Sequence, residues 1–594
     1  MKQALLKYWP ASLTLIFGVG AWIFWAVPFA AVLSYMEQYQ LFLASWGYFV
    51  ERMGVPGGLA EYVGEWITQW NLFPALGGLL YALLFVAIQL LSWLVAKGLG
   101  ARREHYALSF LPAVALWGAM VDGDMLVAFG VSIVGALSLM LAYEAAGAGW
   151  GRYVALALGT PAGYWLLGPS VAVAVAYVVV REVVRERSVG TLGLCVFAAL
   201  WLCIVVIGSS YVVEYPLDWL VRGPGYQRYP MMRIGGQLAV MLVSALAPVA
   251  LAKLGAGKWH IAAAEVALLV AVGTGWVIAN YDTAEQDGYA YGYLVRAEQW
   301  DAIIEKAEKK NPTTSHDVCA LNLALSQKGQ LADRMLEFYQ NGALGLFPRY
   351  NRNMQDPVLL GEICFRLGMV NACERYMYEA QESITTLRKS GRLTQRIAEC
   401  EIVNGEYAVA RKLLHFLEKS PTYRAWARER LSLIGDEQAV DEHPLYGRLR
   451  QVRQHTRDFF VNDDMTNTLV NLYANNKQNR MAFDYLMCLQ ILEADLGKFA
   501  RLTPLFNGKN SSPIPKVYQE VLIGSWLQSH RDMKGFPFHA DGYVVQNTIE
   551  CIRIYMANHD DPQLRGPQYA TNAMSYILRR RQAMGSATRP APKK

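Results

Sequence analysis

The sequence predicts an all-α protein in two parts, a polytopic helical membrane domain of about nine spans followed by a soluble α-solenoid. Three observations lead there. Of the 104 charged side chains only 28 lie in residues 1–280, a density of 10 %, against 24 % in residues 281–594. Uncharged runs at 8–36, 66–96, 188–213 and 234–252 are each long enough to cross the roughly 30 Å hydrocarbon core as a helix of about 20 residues. After Tyr281 the pattern turns to amphipathic helix–turn–helix units with a period in the thirties.

The spans fall at about 11–35, 73–96, 106–121, 124–146, 152–167, 169–184, 189–210, 233–252 and 259–280. The opening apolar run is longer than the roughly 7–15 residues of a secretory h-region, so it reads as a retained first span. Residues 152–184 are interrupted by Pro161 and Gly168-Pro169. Two short spans there put Lys2/Lys7, Lys97/Arg102/Arg103, Arg152, Arg181/Arg185/Arg187 and Lys253/Lys258 on one side, which the positive-inside bias makes the cytoplasm. Nine spans with an inside N-terminus then place the domain from 281 onward outside the cytoplasm, in the periplasm of a bacterial inner-membrane protein. The expected domains are 1–280 in the membrane, with an interfacial amphipathic helix at about 56–70, helical repeats at 281–585 and a disordered basic tail at 586–594.

Net charge is +6, with no basic excess that would call for nucleic acid. Eight cysteines without CxxC spacing read as small core fillers, although two could pair if their domain meets an oxidising compartment. In the soluble half, Glu298-Gln299-Trp300, Gly329-Gln330-Leu331, Gly368-Met369-Val370 and Gly405-Glu406-Tyr407 occupy equivalent turns at spacings of 31, 39 and 37. Ile397–Leu414 and Tyr293–Pro312 resemble tetratricopeptide repeats, which stack into a superhelix with a concave binding groove. A further unit lies near Tyr473–Leu486, with a polar insertion near 436–456. The stretch Phe506–Pro515 reads as a loop from its Gly, Asn and Pro content.

Candidate chemistry gathers at the outer mouth of the membrane half. The first outside loop opens with Glu37-Gln38-Tyr39-Gln40, placing a carboxylate at the water–lipid boundary. It continues into Leu59–Trp70, where Leu59, Tyr62, Val63, Trp66, Ile67 and Trp70 form one helical face and Glu61, Glu65, Thr68 and Gln69 the other. The second outside loop is the turn Val121-Asp122-Gly123-Asp124-Met125, good turn and capping chemistry in its own right. The fourth carries Arg222 and Arg228, with Arg233 opening the next span; basic residues on this face suit a bound phosphate.

An acid directly after the first span, membrane-parallel helices, and a second acidic motif between the third and fourth spans resemble the GT-C superfamily of polyprenyl-phosphate-dependent glycosyltransferases. Glu37–Phe42 with Pro56-Gly57-Gly58-Leu59 also looks like an uncharacterised bacterial family of polytopic membrane proteins with helical C-terminal domains. The GT-C resemblance implies Glu37 as general base or acceptor-orienting carboxylate and Asp122 and Asp124 as the second acidic motif. It implies Arg222, Arg228 or Arg233 as the lipid-phosphate clamp, with Gln38, Tyr39 and Gln40 in the substrate site. Asp122 and Asp124, with Glu37, could hold a divalent cation (Mg or Mn), and GT-C members work both with and without one. The implied partners are the bilayer, a polyprenyl-linked sugar donor, and a protein or glycan brought by the repeat groove. The competing readings are a non-catalytic membrane-anchored scaffold for envelope assembly and a transporter or lipid flippase. The intramembrane acids Glu144 and Glu265 lie near the cytoplasmic edge, where a basic neighbour or the interface would serve them better than a proton relay.

Overall fold

The computed structural model describes residues 2–147, 149–185, 188–228, 233–255, 259–351, 353–384, 388–453, 465–506 and 514–587. Arg187, Lys258, residues 507–513 of the expected loop and residues 588–594 of the expected tail lie outside them. The described chain is helical, and its only strand-like pairing is an isolated antiparallel bridge between Met125 and Gln227. Seven helical segments among the described residues are long and apolar enough to cross a membrane: Tyr8–Ala26, Pro74–Gly98, Val127–Ala145, Trp150–Arg185, Val189–Ser209, Ile234–Lys253 and His260–Ala279.

Two compact units form. The first comprises Met1–Ala290, Ile384–Thr394 and Leu414–Leu431, so it runs past Tyr281 and takes in two later segments of the chain. The second comprises Tyr291–Ser383, Gln395–Leu413 and Ser432–Lys594.

In the first unit, α1 (Lys2–Ala26) ends at a turn before α2 (Ala30–Glu37), so the expected first span closes earlier than residue 35. Two short helices, α3 (Trp46–Met53) and α4 (Gly58–Gln69), precede α5 (Pro74–Gly98). Helix α5 lies antiparallel to α1: Trp22 Nε1 donates to the Ala75 carbonyl at 2.8 Å, and Thr14 Oγ1 donates to Gln89 Oε1 at 3.2 Å. A Cβ at Gly78 would sit 2.8 Å from the Ala26 nitrogen, so glycine permits this crossing.

The expected span at 106–121 is a 3-10 turn, Arg103–Phe110, continued by α6 (Leu111–Ala119). It runs beside α13 (Trp259–Ala279): His105 meets Glu265 at 2.5 Å, and Trp276 Nε1 donates to the Ala115 carbonyl at 2.9 Å. Between them come α7 (Val127–Ala145), α8 (Trp150–Leu167), α9 (Val171–Arg185), α10 (Val189–Ser209), α11 (Leu217–Arg222) and α12 (Ile234–Lys253).

Residues 150–185 are not one straight helix. Gly168, at φ +75°, opens a short 3-10 turn between α8 and α9, and Arg152 Nη1 lies 3.1 Å from Glu182 Oε2. A continuous helix would hold residues 152 and 182 about 45 Å apart, so the chain doubles back. Glu144 meets Arg181 at 2.7 Å at the same end. Both intramembrane acids thus have the basic neighbours that low dielectric demands. The basic residues Arg152 and Arg181 gather at this end, whereas Asp122, Asp124, Arg228 and Arg233 lie at the other.

In the second unit the repeated turns share one geometry. After α14 (Thr283–Arg296) come α15 (Trp300–Lys309), α16 (Ser315–Gln327), α17 (Leu331–Arg334), α18 (Asp356–Leu367), α19 (Val370–Glu382), α20 (Gly391–Asn404) and α21 (Tyr407–Leu417), the last two crossing the boundary between units. Glu298, Gly329, Gly368 and Gly405 all take positive φ, at 54°, 69°, 89° and 80°. In each case the next N–H turns back to the carbonyl five residues earlier: Gln299 to Leu294, Gln330 to Leu325, Met369 to Cys364 and Glu406 to Glu401. This is the Schellman closure that ends a helix and starts its partner. A fifth copy appears at Ala494 (φ 59°), with Asp495 N–H bonded to the Gln490 carbonyl at 3.0 Å.

Two of these five turns, at Glu298 and Ala494, carry a side chain where the others have glycine. The left-handed conformation costs a non-glycine residue roughly 1–2 kcal/mol, part of which glycine returns as unfolded-state entropy. Glu298 offsets it with an ion pair to Arg366, but Ala494 has no polar side chain with which to do so. Ala494→Gly is expected to stabilise the chain by about 0.5–1 kcal/mol, read as a higher thermal midpoint in detergent. An unchanged or lower midpoint would contradict the shared turn geometry.

Candidate functional site

The end of the first unit away from Arg152 and Arg181 carries an inverted helix. On α4 the polar residues Glu61, Glu65, Thr68 and Gln69 are buried, whereas Trp66 is exposed and Tyr62, Val63 and Trp70 are half-exposed. In water this arrangement would be upside down. Against lipid it is what satisfaction of polar groups requires. Helix α3 extends the outward apolar surface through exposed Trp46 and Val50.

The buried polar face of α4 collects charge. Glu65 Oε2 accepts from the Tyr48 hydroxyl at 2.5 Å and from Arg52 Nε at 2.9 Å. Glu61 Oε2 accepts from Arg388 Nη2 at 2.5 Å, and Arg388 Nε lies 3.7 Å from Glu65. Burial pushes the Glu61 carboxyl up, and the Arg388 cation opposes that shift. Gly225 lies against this cluster, where a Cβ would come within 2.2 Å of Glu61 Oε1.

One turn along, Gln69 reaches Glu37. Gln69 Nε2 donates to Glu37 Oε1 at 2.9 Å, the Tyr423 hydroxyl donates to the same oxygen at 2.8 Å, and Gln69 Oε1 accepts the Phe42 N–H at 2.8 Å. Glu37 is fully buried, not set at the water–lipid boundary as its position after the first span suggests. The reason is the cover supplied by 384–394 and 414–431. The Ser390 hydroxyl donates to the Gln38 carbonyl and Arg392 Nη1 to Gln38 Oε1, while Ala44 N–H donates to the Lys419 carbonyl at 2.9 Å. Gln40 is buried beside them.

A second cluster joins residues 124–126 to residues 226–228. The Met125–Gln227 bridge, with Leu126 N–H donating to the Tyr226 carbonyl at 2.8 Å and Arg228 N–H to the Asp124 carbonyl at 3.0 Å, fixes Arg228 beside Asp124. Tyr226 anchors the loop by donating to the Leu167 carbonyl and accepting from Ser170 N–H at 3.0 Å. Arg228 is only 3 % exposed, and its guanidinium lies 4.5 Å from the Tyr35 ring centre and 5.1 Å from that of Tyr39. Nη2 donates to the Met36 carbonyl at 3.3 Å, and Nη1 has no hydrogen-bond partner among the described residues.

Burial pushes the Asp124 carboxyl up to about 6, with Arg228 pulling it down and Asp122 pushing it further up. Asp122 serves the turn: its Oδ1 accepts the Asp124 N–H at 2.9 Å, and its Oδ2 lies 3.6 Å from Arg233 Nε. Tyr289 stacks on Tyr35 at 4.0 Å and donates to the Asp122 carbonyl at 3.0 Å.

The structure therefore brings Tyr39, Asp122, Asp124, Arg228 and Arg233 together, and separately Glu37 and Gln38. Arg222 is half-buried at the end of α11, and its backbone carbonyl accepts from Gln237 at 2.7 Å. Among the described residues no three His, Cys, Asp or Glu side chains converge to hold a metal ion, so Glu37, Asp122 and Asp124 do not form the shared cation set that their loop positions suggest. Sequence reading placed Tyr35 in the first loop and Gln69 on the polar face of α4 without assigning either a role, and it missed Tyr289, Arg388, Arg392 and Tyr423, which carried no signal.

A protein-family profile, described as a family of unknown function (DUF6057), matches residues 6–579. The chain belongs to the DUF6057 family. No curated protein and no solved structure matches it. The clusters described above, which span residues 35–423, all lie within the DUF6057 match.

Two outcomes follow from the charge arrangement. Removing one member of a buried ion pair typically costs about 3–5 kcal/mol. Glu65→Ala, which removes the buried partner of Arg52 and leaves it only the exposed Glu51, is expected to lower stability by about 3 kcal/mol, whereas a loss under about 1 kcal/mol in detergent melts would mean that the cluster is solvated. The Asp124 carboxyl holds its proton more tightly folded, near 6, than at its ordinary 3.8. Its contribution to stability is thus complete below about pH 4 and is lost as pH rises through about 6. Asp124→Asn should flatten that part of the midpoint-versus-pH curve, and an unaltered slope would place the carboxyl in water.

Proposed function

We propose that this DUF6057 chain is a GT-C-like membrane glycosyltransferase. It moves a sugar or oligosaccharide from a polyprenyl-phosphate donor to an acceptor on the outer face of the bacterial cytoplasmic membrane. The observation that carries the reading is Arg228, a buried guanidinium at the bilayer edge with Nη1 open beside Asp124. A phosphate oxygen is the natural acceptor for that donor, because the guanidinium fork matches phosphate and acts strongly where water is scarce.

The proposed topology has nine crossings. The helix reversal at Gly168 makes α8 and α9 two short passes, and the α6 segment makes another beside α13. The end holding Arg152 and Arg181 then faces the cytoplasm, and the end holding Arg228 faces the periplasm together with the helical repeats. The donor's lipid tail stays in the bilayer while its phosphate meets Arg228, with Arg233 and Arg222 adding positive potential at the mouth. Asp124, titrating near 6, accepts the proton of the acceptor hydroxyl as the glycosyl–phosphate bond breaks. Glu37, oriented by Gln69 and Tyr423, positions the acceptor with Gln38, Tyr39 and Gln40. The tetratricopeptide-like groove recruits the protein or glycan acceptor.

A second reading is a non-catalytic scaffold for envelope assembly. It is favoured by the engagement of Glu37 and Gln38 with Tyr423, Ser390 and Arg392, which gives the acidic loop a structural task. Transport is less well supported, since Glu144 and Glu265 are paired near one end.

The test is a deletion strain complemented with wild type, Arg228→Gln or Asp124→Asn at matched membrane levels, with surface polysaccharides and glycoproteins profiled. Wild type should restore a missing glycan. Arg228→Gln should reduce it about 10²-fold or more, the usual cost of losing a preorganised donor to developing negative charge. Full rescue by both variants, or a profile unchanged by deletion, would favour the scaffold.

A further inference from the structure

Helix α13 has little to hold it. Among its described residues only Glu265 and Leu269 are buried, and the rest of its length is exposed or half-exposed. Leu269 packs with Tyr106 and Phe110, and towards the other end Trp276 lies against Gly118 and donates to the Ala115 carbonyl. A third attachment is a carboxyl in an apolar span: Glu265 Oε1 lies 2.5 Å from His105 Nδ1. Glu265 Oε2 has no hydrogen-bond partner among the described residues, so the burial of this carboxyl depends on His105. The other ring nitrogen, Nε2, lies 2.9 Å from the carbonyl of Gly255, just past the end of α12. His105 therefore clips both arms of the α12–α13 hairpin to the turn Arg103–Phe110.

The chemistry of these three groups fixes their proton count. A backbone carbonyl only accepts, so Nε2 donates to Gly255. Nδ1 then either donates to an ionised Glu265 or accepts from a protonated one, and both arrangements hold one proton more than a neutral imidazole beside a carboxylate. Without that proton, Nδ1 and Glu265 are two acceptors face to face. Burial pulls the His105 pKa down, but the bonds to Glu265 and the Gly255 carbonyl, with the nearby Glu265 and Glu104 charges, more than offset it, so the ring titrates above its ordinary 6.5. Around it Lys97 of α5, Lys253 of α12, Tyr8 of α1 and His260 of α13 are exposed, as are Arg102 and Arg103, and α6 brings no titratable group. Exposed charges act weakly through screening solvent.

We propose that His105 and Glu265 bind one proton as a latch: with it the start of α13 is fixed to the end of α12, and when it leaves to solvent the α12–α13 hairpin loosens at that end. Because the folded group titrates above its ordinary value, the hold is complete below about pH 6.5 and is lost as pH rises past the raised value. The latch goes beyond the glycosyltransferase reading and does not rest on it. Helix α13 leads through residues 280–282 into α14, which sets Tyr289 on Tyr35, so the latch holds one end of the helix whose other end leads to the Arg228 cluster.

The experiment is hydrogen–deuterium exchange of the full chain in lipid nanodiscs between about pH 6 and about pH 9, with each rate divided by the intrinsic rate at that pH. Wild-type amides at the start of α13, over residues 260–266, should lose protection about tenfold or more at the higher pH, while those of α5 keep theirs. In Glu265→Gln the introduced amide can donate to the neutral ring while Nε2 still donates to Gly255, so protection should be retained at both pH values. His105→Phe, which can make neither bond, should show low protection at both. Wild-type protection that does not change with pH would overturn the latch. So would Glu265→Gln keeping the wild-type pH dependence, because the titrating group would then lie elsewhere.

Discussion

The structure around α4 depends on one constraint: a helix that shows its apolar face to lipid must find partners inside the protein for its polar face. Helix α4 meets this with Arg52, Tyr48 and Arg388 around Glu61 and Glu65, and with Gln69 on Glu37. Each buried carboxylate demands a cation or donors, since an unpaired buried charge costs several kcal/mol. That demand accounts for the inclusion of 384–394 and 414–431 in the first unit. They bring Arg388, Ser390, Arg392 and Tyr423 to a helix and a loop more than 300 residues away in sequence.

In the neighbouring cluster it is a cation that keeps an open donor. Arg228 is held by its backbone bridge, two tyrosine rings and the Met36 carbonyl, yet one of its terminal nitrogens has no acceptor among the described residues. Asp124, the charge nearest in role, is raised to about 6 by burial and so ceases to neutralise Arg228 as pH falls through that value. A satisfied cluster holds structure together, whereas an unsatisfied buried donor beside a titratable carboxyl is ready for a ligand. The proposed lipid-phosphate site rests on that contrast.

Much of the architecture was legible because it follows from periodicity and charge. Apolar runs located the long helices, and the turn residues Gly329, Gly368 and Gly405 marked positions that require positive φ. Glu298 was legible only by its alignment with them, and Ala494 was not, since alanine gives no sign of a left-handed turn. The 3-10 start at Arg103 was hidden because composition does not separate a tight helix from an ordinary one. The site was half legible: Asp124 and Arg228 could be placed in outside loops, but their pairing depends on a three-residue bridge with no sequence signature. Glu37 was read as exposed because the residues that cover it come from the other half of the chain, a contact that local patterning cannot report.

The most direct test is native mass spectrometry of the full chain in lipid nanodiscs titrated with polyprenyl monophosphate. The account predicts a one-to-one adduct with wild type, weakened at least tenfold in Arg228→Gln and retained in Arg222→Gln. It further predicts that phosphatidylethanolamine does not compete at equal concentration. Equal binding by wild type and Arg228→Gln, or no adduct with either, would contradict it and leave the buried charges of the outer end with a purely structural role.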